Sequence, residues 1–260
     1  MQLKKITNYL EQIAPLSYQE SYDNSGLIVG DSSKEISKVL LCLDSIESVI
    51  DEAIEKGCEL IIAHHPIVFK GLKRFNGKNY VEKVIIKAIK NDIAIYACHT
   101  NLDNVLENGV NQKIASKLGL KNTKILAPKE GVISKLGIFV PEKDAEEIRK
   151  TLFKAGAGSI GKYKNCSFNT EGSGTFEATL GANPKIGEIG KTHTEKETKV
   201  EVIFPNYLQN AILEALFKAH PYEEVAYDII SLKNKNQEIG TGIIGDLETE
   251  IDSIYFLTQL

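Results

Sequence analysis

The chain has five histidines, and three of them sit where apolar runs end. Residues 60–71 read LIIAHHPIVFKG, which carries His64 and His65 to a stop at Pro66. Residues 97–103 read ACHTNLD, which sets His99 four residues before Asp103. Imidazole and carboxylate together suit a first-row divalent cation such as Zn, Mn, Fe, Ni or Co, and spacing alone does not choose among them. Adjacent histidines on a regular strand point to opposite faces. Proline cannot extend strand pairing and biases the residue before it toward extended geometry, so the chain leaves the sheet here with both imidazoles at its rim. Two histidines diverging from a strand tip can each serve one ion of a pair, with a carboxylate between them. The plainer alternative is a set of hydrogen-bonded structural histidines, and residue types alone leave both open.

These residues need a frame, and the first 121 residues supply alternating strand and helix signals. KVLLCLD (38–44), ELIIAHH (59–65) and DIAIYACH (92–99) are apolar runs of strand length. Between and after them lie helical patterns: SIESVIDEAIEKG (45–57) with Ser45 as N-cap and Gly57 as stop, then NYVEKVIIKAIKN, then DNVLENGVNQKIASKLG. Short apolar strands separated by amphipathic helices predict βαβ units on a parallel sheet. The carboxyl ends of such strands are where ligands bind, and the histidines fall there.

A second pattern follows. SKLGIFVPEKDAEEIRKTLFKAGAG (134–158) is repeated in kind by TKVEVIFPNYLQNAILEALFKAHPYEE (198–224), with Pro141 matching Pro205 and LFKA at 152–155 matching LFKA at 216–219. Proline has no hydrogen bond to lose in a first helical turn. With GTFEATLGANP and VAYDIISL as further strands, the order β-α-β-β-α-β predicts a ferredoxin-like domain. The expected architecture is therefore α/β, a parallel-sheet N-terminal domain (1–124) with an inserted ferredoxin-like α+β domain (125–235) and a further segment (236–260).

Composition narrows the function classes. A net charge of −4 offers no general attraction to nucleic acid. No apolar stretch approaches membrane-spanning length, and the start MQLKKITNYLEQIAPL reads as an amphipathic helix without signal-peptide features. Cys42, Cys58, Cys98 and Cys166 lack CxxC spacing and read as reduced thiols, which gives a cytoplasmic expectation. The other polar stretches have cheaper readings. Asp23 and Asn24 beside Gly26 suit a turn better than the alternative of a pocket wall, and Asp44 with Ser45 suits helix capping. His193 falls in an exposed polar loop, and His220 in a solvated or subunit-facing one. GTGIIGD (240–246) lacks the lysine and spacing of a phosphate loop.

Taken in order, SYDNSGLIVG, LCLDS, AHHPIVFKG, ACHTNLD, HPYEEVAYDI and GTGIIGDL resemble the GTP cyclohydrolase 1 type 2 homologues, the Ngg-interacting-factor-three-like family of dinuclear metal proteins. Residues 125–235 resemble the CutA/P-II-like insert of its longer bacterial members. The resemblance implies that His64 and His65 bind metal, that Asp103 bridges two divalent cations per subunit, and that His99 is a wall residue steadying the loop that carries Asp103. It also implies a homo-oligomer, typically a hexameric ring, and a small-molecule or nucleotide substrate, with no nucleic acid or membrane partner. Long members carry a later histidine and glutamate for the same metals, and no histidine follows His220 here. The chain is thus expected to lack the C-terminal half, with an incomplete site and a bare sheet edge prone to aggregation. Two functions follow as expectations: a metal-dependent hydrolase opening the purine ring of GTP, or a non-enzymatic metal-binding scaffold or regulator whose site is inactive.

Overall fold

The computed structural model describes residues 1–258, which divide into two compact units. One comprises Met1–Lys129 together with the chain from Gln237 onward, and the other is Glu130–Asn236.

The first unit opens with helix α1 (Leu3–Ile13) and strand β1 (Gly26–Val29). Strand β2 (Val39–Asp44), helix α2 (Glu47–Lys56), strand β3 (Leu60–His65), helix α3 (Tyr80–Lys90) and strand β4 (Ala94–Ala97) follow as the expected alternation. β2, β3 and β4 pair in parallel, β1 joins β4 antiparallel, and the sheet order is β1-β4-β3-β2. The four- to six-residue runs are too short to compete as helices, and the two faces of β3 and β4 are buried by different layers. Ile61 and Ile95 pack under Ile50 and Ala53 of α2 and Val84, Ile85 and Ala88 of α3. Leu60, Ala94 and Tyr96 pack on the other face against Leu3 of α1.

Helix ends are set locally. Gly57, at φ 65°, closes α2 in the left-handed region that glycine adopts without strain. Asn79 accepts from the Glu82 N–H, and the Glu82 carboxylate accepts from the N–H groups of Asn76 and Lys78, which fixes the start of α3. Ser45 does not cap α2 as the sequence suggested; the chain enters that helix through Ile46 with no side-chain cap. The helix expected across 103–119 is split into α4 (Thr100–Asp103) and α5 (Val110–Lys117). Gly109 stands at the break, where a Cβ would lie 2.1 Å from the Val105 carbonyl oxygen. Strand β5 (Lys121–Lys129) ends this part of the unit.

The second unit runs β6 (Ile133–Pro141), α6 (Ala145–Lys154), β7 (Phe168–Glu177), β8 (Thr192–Pro205), α7 (Gln209–Ala219) and β9 (Tyr227–Leu232). All pairings are antiparallel and the order is β7-β8-β6-β9, the ferredoxin-like arrangement expected from the doubled pattern. Leu136, Ile138 and Val140 of β6 and Val200, Val202 and Phe204 of β8 form one buried layer. Ile148 and Leu152 of α6 and Ile212 and Leu216 of α7 form the facing one. His193 is not in an exposed loop: it is the second residue of β8, half buried opposite Phe176. His220 is buried against the Phe139 carbonyl oxygen, not solvated.

The chain then returns to the first unit as β10 (Asn236–Asp246), which pairs with β5, and α8 (Ser253–Leu257). Among the described residues no helix is long and apolar enough to cross a membrane.

Candidate metal centre

The parallel register of the first sheet decides what surrounds the histidines. Asp44 at the end of β2 pairs with His65 at the end of β3, and Ala63 pairs with Ala97 of β4. The β4 chain therefore passes beside His64 as Cys98, and the Nδ1–H of His64 donates to the Cys98 carbonyl oxygen at 2.9 Å. The Nδ1–H of His65 donates to Asp44 Oδ1 at 2.8 Å. Asp44 thus serves the imidazole and not the helix end.

His99 lies two residues beyond β4, in the turn that opens α4, and not inside a strand. Its Nδ1–H donates to Asp23 Oδ1 at 2.8 Å. The Asp23 side chain is buried and also accepts from the N–H of Asn24, the hydroxyl of Ser25, and both the N–H and the hydroxyl of Thr100. Burial alone would raise its pKa, but the bonds from His99, Thr100, Asn24 and Ser25 outweigh it and hold the group at about 2. A residue that looked like part of a turn is the anchor of the loop.

The three imidazoles meet although their chain positions differ. Ring centroids of His64 and His65 are 4.9 Å apart, those of His64 and His99 5.3 Å, and those of His65 and His99 5.5 Å. One ring nitrogen of each lies within 4.8 Å of the others. Each Nδ1 faces an acceptor, so the neutral tautomer that satisfies it carries its lone pair on Nε2. Imidazoles that ligate metals commonly donate their other N–H to a carboxylate or carbonyl, which fixes the tautomer and strengthens the donor. All three rings here are prepared in that way.

Asp103 closes α4, and its Oδ1 stands 3.8 Å from His64 Nε2. Burial pushes its pKa up, opposed by the neighbouring His64 and His99. The local turn is held by the Asp103 N–H to the His99 carbonyl oxygen and by Asn111 Nδ2 to the Asp103 carbonyl oxygen. His64, His65 and Asp103 thus come to one rim. His99, expected as wall, stands with them as a third imidazole. Asp23 and Asp44 were missed as partners: a strand register was needed to find Asp44, and SYDNSGLIVG marks Asp23 only as part of the resemblance, without stating its pairing with His99.

A family model described as Duf34/NIF3 (NGG1p interacting factor 3) matches residues 1–260. The chain belongs to the Duf34/NIF3 family. A Bacillus subtilis relative called GTP cyclohydrolase 1 type 2 homolog is 43% identical over 249 residues, which are 95% of this chain and 66% of that protein. One of the same name from Halalkalibacterium halodurans is 42% identical over 256 residues, 98% of this chain and 68% of that protein. A solved Bacillus cereus structure, described as a protein related to NIF3, superposes with a TM-score of 0.84 at 42% identity, covering all of this chain and 69% of that one. This Duf34/NIF3 chain therefore spans about two thirds of the length of the relatives it matches.

Proposed function

We propose that this chain binds a pair of divalent cations through His64, His65 and Asp103, with His99 as a further donor, and contributes to hydrolysis of a purine nucleotide. The observation that carries the reading is the set of three oriented imidazoles, each with Nδ1 occupied and with one ring nitrogen of each within 4.8 Å of the others. That donor set fits a borderline first-row ion better than Mg or Ca, which favour oxygen ligands alone. When bound, such ions supply water activation and stabilisation of developing negative charge.

The protein's own contribution is orientation. Asp44 and the Cys98 carbonyl fix the two strand-tip rings, and Asp23 holds His99 together with the turn that carries Asp103. Beside the rings, Tyr22 and Phe69 stack at 6.3 Å with both faces partly in solvent, and Phe69 lies 6.1 Å from His99. Exposed aromatic rings next to a cation site suit a planar base, since stacking on a π-face is worth about 1–3 kcal/mol. The name carried by the curated relatives agrees with a purine substrate.

The test is metal content and purine-ring opening in the same preparation. His65→Ala and Asp103→Ala should each lower bound Zn or Mn per chain, and Phe69→Ala should raise KM for GTP without lowering metal content. Equal metal in the parent and both ligand variants sinks the ligand assignment. Full metal occupancy without turnover rejects the hydrolase and leaves the scaffold or regulator reading.

A further inference from the structure

The ferredoxin-like unit contains a cavity of about 470 Å³ with no part in the histidine site. That volume lies within the range of small-molecule sites, roughly 300–1,000 Å³. Its apolar wall is aromatic: Phe139, Phe176 and Tyr222 line it, and Phe176 sits 6.1 Å from Tyr222 by ring centroids. Its polar wall is acidic, with Glu177, Glu197, Glu223 and Glu224 beside Lys185, and the Lys199 Nζ stands 5.9 Å from the Phe139 ring centroid.

Three of those carboxylates accept from neutral donors. Tyr222 donates its hydroxyl to Glu197 Oε1 at 3.1 Å, Thr192 donates to Glu177 Oε2 at 2.9 Å, and the Asn183 N–H donates to Glu223 Oε1 at 2.8 Å. Neutral donors orient a carboxylate without cancelling its charge. The uncancelled field is felt nearby: burial pushes the Tyr222 phenol up, and the charges of Glu197, Glu195 and Asp144 push it further. Gly174 makes room for this arrangement, because a Cβ there would lie 2.1 Å from Glu197 Oε2.

We infer that this cavity binds a small organic ammonium ion, with its charge against Glu197 and its alkyl shell against Phe139, Phe176 and Tyr222. A metal ion fits less well. Among the described residues, the group of three ligand atoms close enough to hold a metal is His64, His65 and His99, and the carboxylates of this cavity form no such group. Separated carboxylates around π-faces match a cation with an apolar body.

Calorimetric titration of choline into the full chain, with dimethylbutanol as its uncharged isostere, tests the assignment. Choline is expected to bind at least about tenfold more tightly than the isostere, the ratio that about 1.4 kcal/mol of charge recognition produces. Glu197→Gln should weaken choline about tenfold and leave the isostere unchanged. Glu223→Gln is the second variant should Glu197→Gln fail to fold. His65→Ala should leave choline binding intact, which separates this site from the metal centre. Equal affinity for the two probes overturns the inference, as does absence of choline binding up to about 10 mM. Zn binding that excludes choline and is lost in Glu197→Gln also overturns it.

Discussion

The Nδ1–H of His99 donates to the Oδ1 of Asp23 across 76 residues of chain. Asp23 has five donors aimed at two oxygens, so the side chain must accept at every position. Asp23→Asn keeps the shape but turns an NH2 toward either the His99 ring or the Thr100 N–H and hydroxyl. Leaving a buried donor unmatched costs about 1–3 kcal/mol. The expected outcome is a Tm lower by roughly 2–10 °C, together with reduced metal per chain although no ligand is removed. A variant with an unchanged melting curve and full metal content would contradict the anchoring role.

The elements that could be read from the sequence are those whose burial has one period. KVLLCLD and ELIIAHH announce themselves as short unbroken apolar runs, and the two LFKA helices by the one face each keeps dry. His64, His65 and Asp103 were readable by residue type, since few structural needs bring two histidines to a strand tip. Their supports were not. Asp44 acquires its role only through pairing with His65, a register fixed by packing that no local signal states. His193 was hidden for another reason: THTEKETKVEVIF alternates, but its first half is polar on both faces and imitates a loop.

The 64-residue repeat makes a quantitative claim about the second unit. Leu152 and Leu216 hold equivalent positions in α6 and α7, and both are fully buried in one core. Each Leu→Ala change should cost about 2–5 kcal/mol, measured as a lower urea midpoint. Because both residues share one cluster, the double variant should depart from additivity by at least about 0.5 kcal/mol. Strict additivity would indicate two independent half-cores.

Glu59 gives the pH dependence a defined window. Its carboxylate accepts from the Ser37 hydroxyl and from the N–H groups of Ser37 and Lys38, and these bonds hold its pKa at about 2, down from 4.5. A depressed folded-state pKa means that the unfolded chain binds the proton first as pH falls. The stabilisation is present above about pH 4.5 and is lost progressively toward pH 2. Urea midpoints of the parent and Glu59→Gln should therefore differ at pH 6 and converge near pH 2. A gap that persists unchanged at the acid end would show that the bonds do not depend on the charge.

β2 is the outermost parallel strand, and its Leu41 and Leu43 are 73% and 61% exposed on the face that α1 covers over β3 and β4. An apolar edge strand with unpaired backbone groups is a template for pairing with another chain. Lysine on such a strand opposes that pairing, because bringing two copies together then desolvates and apposes like charges. Leu41→Lys removes little buried contact, so its thermal midpoint should stay within about 2 °C of the parent. Light scattering at high protein concentration should nonetheless fall. The mirror change on the buried side of the sheet, Ile61→Lys, should unfold the unit, because it places an unpaired charge among α2 and α3. If Leu41→Lys left scattering unchanged, association would have to begin elsewhere than at this edge.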